Sequence, residues 1–352
     1  MSGTPNHNGA RRPRILIVYT GGTIGMIENP DNGTLEPFDF DHLIDNVPKI
    51  KMLDFEIENY QFKVPIDSSA MTPKDWQKIV KVIEENYDSY DGFVVLHGTD
   101  TMAYTASAMS FMLQNLSKPV IITGSQLPIG EVRTDGEENL ITALQVAAAR
   151  NSDGEPMIQE VAILFEDYLW RGNRSTKHSS DNFNAFKSSN YPKLAKIGLG
   201  ISFDKDVLLR HKGDKGLETF YDLDTNVFYM DLFPGINKEL VKYMLAMPHL
   251  KGVVMKTFGM GNGPTDKWFL NEIKQAVQRG IVIVSVSQCM NGSVNPMRYK
   301  AGIGLIAAGV ISGHDMTSEA AITKLMYLFG KGLSSEEVRR QMEVPLAGEM
   351  EG

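Results

Sequence analysis

An aliphatic run that stops at a cluster of glycines and threonines, Arg14–Met26 (RILIVYTGGTIGM), constrains this chain more than any other stretch. Ile15, Leu16, Ile17 and Val18 are unbroken in their apolarity and bounded by turn residues, which predicts a strand buried on both faces of a parallel sheet. The strand ends at Thr20. Gly21, Gly22 and Gly25 then free the backbone to turn sharply and admit a ligand to the main chain, while Thr20 and Thr23 set hydroxyls on the turn. Two readings stay open for it: a ligand site at a strand's carboxyl end, or a tight turn whose threonines satisfy their own backbone.

The pattern recurs at Gly92–Leu96 (GFVVL), Pro119–Thr123 (PVIIT) and Glu160–Phe165 (EVAILF), with a looser alternation over Asp54–Val64. Helices separate these strands. Thr72-Pro73-Lys74-Asp75 is a helix start, and Trp76, Ile79, Val80, Ile83 and Tyr87 give that helix one apolar stripe. Further helices are predicted over Met102–Leu116 and Glu137–Arg150. Such alternation implies right-handed crossovers and a doubly wound α/β sheet. Residues 1–13 read as a disordered tail, Glu28–Pro37 as an exposed lid-like loop, and Phe38–Val47 as a short helix. The charged stretch after Asp204 places a linker at 205–224 between a larger unit at 14–204 and a smaller α/β unit at 225–352. The second unit has strands at Val227–Met230, Gly252–Thr257 and Ile281–Val286, and helices near Lys238–Ala246, Asp266–Arg279, Thr317–Leu328 and Ser335–Met342. Gly302–Ala307 (GIGLIA) mimics a dinucleotide fingerprint without a strand before it and is taken as a helix-entry turn.

A chain of 352 residues is long for one core, which agrees with two units. The formal charge of -8 and pI near 5.5 argue against nucleic acid or an anionic membrane as partner and favour a small molecule. The single cysteine, Cys289, cannot close an internal disulfide. The seven histidines show no metal-ligand spacing, so no metal is expected. The polar first residues lack a signal peptide's apolar core and no apolar run reaches bilayer length, so the expected location is cytoplasmic.

Thr20–Gly25 and His97–Thr101 both follow strands. As neighbours at the point where strand order reverses, they would bring two threonines to one crevice. The second turn also opens a helix, whose free N–H groups favour a carboxylate, while Asp100 could hold an ammonium group or merely cap the helix with Thr99. His97 directly follows an apolar strand and reads as a structural histidine. Asn262, in the glycine-rich turn Gly259–Gly263, faces a ligand or serves only as a connector. Lys177 is a surface lysine unless other groups join it.

Taken together, TGGTIGM at Thr20–Met26, DSSAMTPKDW at Asp67–Trp76, HGTDTMAYTASAMSFML at His97–Leu113, TGSQ at Thr123–Gln126 and RGNRSTK at Arg171–Lys177 resemble bacterial L-asparaginases, nearest the intracellular type I branch. The resemblance implies hydrolysis of the L-asparagine side-chain amide to L-aspartate and ammonia without cofactor. It puts Thr23 on the family's nucleophilic threonine, Thr99, Asp100 and Lys177 on its second triad, and Asp67, Ser68 and Ser69 on the segment holding the substrate's α-carboxylate, with Asp100 also on the α-ammonium. Asn262 resembles a residue that reaches the site from a neighbouring subunit in tetramers built from close dimers. Thr176 and Cys289 match a regulatory asparagine pocket found in some type I members, where Lys256 replaces the arginine. The lid tyrosine of the family is missing between Met26 and Asn59, with Thr34 near its place. A lysine can act as base only if its pKa is lowered, which burial in a closed site achieves. The rivals are a relative acting on glutamine or a larger amide, amidotransferase subunits included, and a non-catalytic amino-acid sensor.

Overall fold

The computed structural model describes residues 11–28, 35–37, 47–211, 213, 215–295, 297 and 300–351. The expected tail before Arg11, lid residues 29–34 with Thr34, and the expected helix over 38–46 lie outside the described residues.

The larger unit is built on eight strands: β1 (Arg14–Tyr19), β2 (Glu56–Gln61), β3 (Gly92–Leu96), β4 (Val120–Thr123), β5 (Val161–Phe165), β6 (Tyr168–Arg171), β7 (Ala195–Ile197) and β8 (Ile201–Phe203). Their order across the sheet is β8-β7-β6-β5-β4-β3-β1-β2. From β2 to β5 all neighbours are parallel, and β5 to β8 pair antiparallel. Three helices cover it: α1 (Pro73–Asn86), α2 (Met102–Met112) and α3 (Gly136–Ala148).

Alternation along β1 shows why both faces had to be apolar. Leu16 and Val18 join Trp76, Ile79 and Ile83 of α1 and Ala106 and Met109 of α2 on one face. Ile15, Ile17 and Tyr19 join Leu140, Ala143 and Leu144 of α3 on the other. Period-two geometry thus turns one continuous apolar run into two half-cores, as the doubly wound expectation requires. The chain runs from β1 outward to β2, then returns through α1 to β3 on the other side of β1. Strand order therefore reverses between β1 and β3, and a crevice opens beyond their carboxyl ends.

The smaller unit is a parallel sheet in chain order, β9 (Val227–Asp231), β10 (Gly252–Thr257), β11 (Val282–Ser287) and β12 (Ile311–Ser312). It is packed by α4 (Lys238–Leu245), α5 (Lys267–Gln278), α6 (Lys300–Ala307), α7 (Ser318–Gly330) and α8 (Ser335–Met342). The GIGLIA stretch lies inside α6 rather than at a helix entry, which corrects that expectation. Its two glycines interrupt no turn of the helix, and a Cβ at Gly304 would lie 3.3 Å from Leu270 of α5. Helix α2 stops at Met112, before the expected Leu116, because Leu113–Gln114 pairs with Glu218–Thr219. The same charged stretch is tied down again where Thr219 and Tyr221 donate hydrogen bonds to Glu84 of α1.

Helix α2 has no polar face. Every residue of it except Tyr104 is buried, because the larger sheet covers one side and α7 the other. Phe111 carries the second contact: it is fully buried, stacks on Tyr327 with ring centroids 5.9 Å apart, and belongs to the cluster that includes Val254, Val282 and Leu325 of the smaller unit. Phe111→Ala is expected to cost about 3–5 kcal/mol, a buried aromatic truncation that leaves a cavity, and to lower the denaturant midpoint with little change in the slope.

Candidate active site

Main-chain contacts between three loops build the crevice. Thr20 donates its N–H (3.1 Å) and its Oγ1 (2.8 Å) to the carbonyl of Leu96 at the end of β3, and its own carbonyl accepts the N–H of Ile66 at 2.7 Å. Gly21 (φ +127°) and Gly22 (φ +93°) occupy backbone conformations that side chains rarely adopt, and both are packed past the point where a side chain fits. A Cβ on Gly21 would lie 2.4 Å from the backbone of Ile66, and one on Gly22 would lie 2.4 Å from the nitrogen of Gly98. Gly98 in turn leaves room for Ser68, whose Oγ would be 2.5 Å from an added Cβ. Tyr19 Oη donates to the carbonyl of Gly25 at 2.8 Å and props the far side of the first turn.

Thr23 opens the short 3₁₀ turn Thr23–Gly25 and is partly exposed. Asp67 caps a second such turn, Ser68–Ala70, by accepting the N–H of Ser69 at 2.9 Å, and the carbonyl of Ser68 accepts the hydroxyl of Thr101 at 2.7 Å. The segments carrying Thr23, Asp67, Ser68, Ser69, Thr99 and Asp100 therefore meet at the reversal point of the sheet.

Lys177 joins them from a distance of 78 residues in the chain. Its Nζ donates to Thr99 Oγ1 at 2.8 Å and to Asp100 Oδ1 at 2.7 Å. The lysine side chain is 17% exposed and that of Asp100 64%, so the pair closes the crevice at its solvent edge. Thr99 is buried, and its hydroxyl donates a hydrogen bond to Gln126 Oε1 at 3.2 Å. Gln126 also donates to the carbonyl of Asn182 at 3.0 Å. Sequence reasoning noted TGSQ as a strand end but gave Gln126 no contact with Thr99; the available signal was a third strand ending in a Thr-Gly turn.

His97 is fully buried, and its ring is spoken for on both sides. Nε2 meets Thr105 Oγ1 at 2.8 Å, Thr105 accepts Trp76 Nε1 at 2.8 Å, and Nδ1 lies 2.7 Å from the carbonyl of Gly98. The arrangement fits a neutral ring that donates from Nδ1, and burial pushes its pKa down to about 4. The histidine fixes the Gly98 peptide and stands outside the proton chemistry, as its place after an apolar strand suggested.

Asn262 is not brought to this cluster within one chain. It sits on the turn after β10, where it exchanges backbone hydrogen bonds with Phe258, each 2.9 Å long. Thr176, Lys256 and Cys289 do come together, as walls of a separate cavity of about 310 Å³ whose lining also includes Lys177, Arg174 and Glu319. There Thr176 donates to Glu319, Arg174 pairs with Asp315 at 2.8 Å, and Lys256 pairs with Asp231 at 3.3 Å. Among the described residues no group of three or more His, Cys, Asp or Glu side chains is arranged to hold a metal ion, and no helix is long and apolar enough to cross a membrane.

Two consequences are measurable. Gly22→Ala forces a methyl into the Gly98 backbone at positive φ, and we expect a loss of at least about 2 kcal/mol together with activity. For His97 the folded pKa lies below the unfolded one. The unfolded chain therefore binds the extra proton, and stability falls as pH drops from about 6.5 towards 4, by about 3 kcal/mol in all. Denaturation midpoints between pH 7.5 and 4.5 should show this loss in the parent and not in His97→Asn.

An asparaginase N-terminal family model matches residues 14–208, and a glutaminase/asparaginase C-terminal domain model matches residues 226–342. L-asparaginase 1 of Escherichia coli strain K12 is 44% identical over 346 residues, covering 97% of this chain and 98% of that protein. The crystal structure of L-asparaginase I from Vibrio cholerae superposes with a TM-score of 0.88 at 42% identity, over 97% of this chain and 100% of that one. The thermostable L-asparaginase from Thermococcus kodakarensis gives a TM-score of 0.85 at 35% identity, over 96% and 99%. Its two units, in the order and over the length that the family models define, make this chain a member of the asparaginase family.

Proposed function

We propose that the protein hydrolyses the side-chain amide of L-asparagine to L-aspartate and ammonia through a threonine nucleophile, with no cofactor. The observation that carries the reading is Lys177 Nζ in contact with both Thr99 and Asp100, on a turn whose Gly98 abuts Gly22 beside Thr23. A threonine hydroxyl is a weak nucleophile until a base takes its proton, and Thr99 with Lys177 forms a path for that proton. Thr23 Oγ1 attacks the amide carbon, and main-chain N–H groups of the glycine turn receive the developing oxyanion. The carbon–nitrogen bond then breaks, the amine leaves with the transferred proton as ammonia, and water hydrolyses the acyl threonine to free aspartate.

The segment Asp67–Ser69 holds the α-carboxylate in this reading, with Asp67 capping the turn that presents Ser68 and Ser69, and Asp100 holds the α-ammonium. Asn262, which stands apart from the cluster within one chain, is assigned to a neighbouring copy's site in a homodimer or homotetramer. Residues 14–204 form the catalytic unit, 205–224 the connection and 225–352 the second unit. Cytoplasmic residence is supported by the likeness to a probable cytoplasmic L-asparaginase from Campylobacter jejuni, 25% identical over 94% of this chain. We assign asparagine-dependent regulation to the cavity of Thr176, Lys256 and Cys289, since Lys177 forms part of its wall.

Ammonia release from asparagine, glutamine and acetylated asparagine tests the assignment. The parent is expected to prefer free asparagine, and Thr23→Ala and Lys177→Ala to lose about 10³-fold or more in kcat at unchanged fold. Undiminished turnover in Thr23→Ala would reject the nucleophile, and silence on every amide would leave a binding protein. A sigmoidal rate curve that becomes hyperbolic in Lys256→Ala is expected for the second cavity, and a hyperbolic parent curve removes it.

A further inference from the structure

Lys177 poses a mechanical problem. Its ammonium must stay within 2.8 Å of Thr99 and 2.7 Å of Asp100 at the end of a flexible four-carbon stem, yet it stands on a two-residue strand, Thr176–Lys177, paired only with Phe186–Lys187 among the described strands. The backbone just before it is a 3₁₀ turn, Gly172–Arg174, which Ser175 ties to Arg171 by donating its Oγ at 2.7 Å. What holds this turn lies far away in sequence.

Three side chains of the turn region send donors into three consecutive carbonyls of Ala347–Glu349. Asn173 Nδ2 reaches Ala347 at 2.9 Å, Arg171 Nη1 reaches Gly348 at 3.3 Å, and Arg174 Nη1 reaches Glu349 at 3.1 Å. All three donors belong to buried residues. Arg171 is itself pinned by Glu160 at 2.6 Å, so it cannot step aside. Gly348 answers that geometry: its φ is +75°, and a Cβ there would lie 2.6 Å from Arg171 Nη1.

The receiving loop is fixed in its turn by a buried charge pair. Glu349 accepts the N–H groups of Leu346 and Ala347 and pairs with Lys324 of α7 at 2.6 Å, both side chains being 0% exposed. Lys324 also donates to the carbonyls of Met342 and Val344. An ion pair so enclosed must have its remaining hydrogen-bonding capacity met, and here the loop backbone meets it.

We propose that the segment Leu346–Glu349, clamped by the Lys324–Glu349 pair, is a positioning element for Lys177, acting through Arg171, Asn173 and Arg174. The smaller unit thereby sets the reach of a lysine in the larger unit's crevice. The inference rests on the role given to Lys177 above. A brace that only stabilised the fold would affect melting and leave turnover of the folded enzyme alone. A positioning element governs kcat, because displacing a reacting group by about 1 Å costs up to about a hundredfold in rate.

The test compares Gly348→Ala and Asn173→Ala with the parent in the full chain, at a temperature where circular dichroism shows each fully folded. Ile273→Ala, in the core of the smaller unit away from this network, supplies a control for loss of stability alone. We expect kcat on asparagine to fall about tenfold or more in both test variants with KM within about twofold, while the control keeps the parental kcat. If Gly348→Ala does not fold, Asn173→Ala decides alone. Parental kcat in the folded test variants, or an equal fall in the control, would overturn the proposal. Lys177→Ala run alongside separates the two layers: its retaining turnover would defeat the reading of the site, whereas its inactivity beside fully active test variants would defeat only the positioning role.

Discussion

The close approach of Gly22 to Gly98 is the contact on which the crevice depends. Two strands adjacent in a sheet and separated by 72 or more residues of chain end in turns that must pass each other at backbone distance. Neither turn tolerates a side chain at its crossing point. The side chains of Thr23, Thr99 and Asp100, the last two reached by the lysine ammonium from a strand of its own, hang from this main-chain junction. Its donors are peptide groups whose positions are set by strand hydrogen bonds, which is the condition for electrostatic preorganisation at small entropic cost.

The junction was readable from sequence because its causes are local. Apolar runs of strand length, each stopping at glycine and threonine, mark parallel strands with functional carboxyl ends, and the return of the chain through α1 fixes which two are neighbours. The antiparallel extension β6–β8 was not legible. Tyr168–Arg171 alternates in burial over only four residues and runs into polar turns, so its pairing is decided by tertiary contact. Helix α2 was legible as a helix but its end was not, since the competing partner of Leu113–Gln114 lies more than a hundred residues later at Glu218–Thr219.

The candidate site divides along the same line. Thr23, Thr99 and Asp100 lie in turns that announce themselves, whereas Lys177 was indistinguishable from a solvated lysine until the family resemblance gave it company. Gln126, Arg174, Glu319 and Glu349 carried no local signal: each acts through a partner between 25 and 175 residues away. His97 shows the reverse case. Its apolar neighbours upstream foretold burial, and burial alone accounts for its neutrality.

The chain has one thiol, and that thiol is exposed on the rim of the cavity whose wall includes Lys177. A fluorophore carried on a maleimide can therefore attach at Cys289 and nowhere else through sulfur. The native protein thus offers one attachment point for an optical label on the wall of this cavity, without altering a single residue.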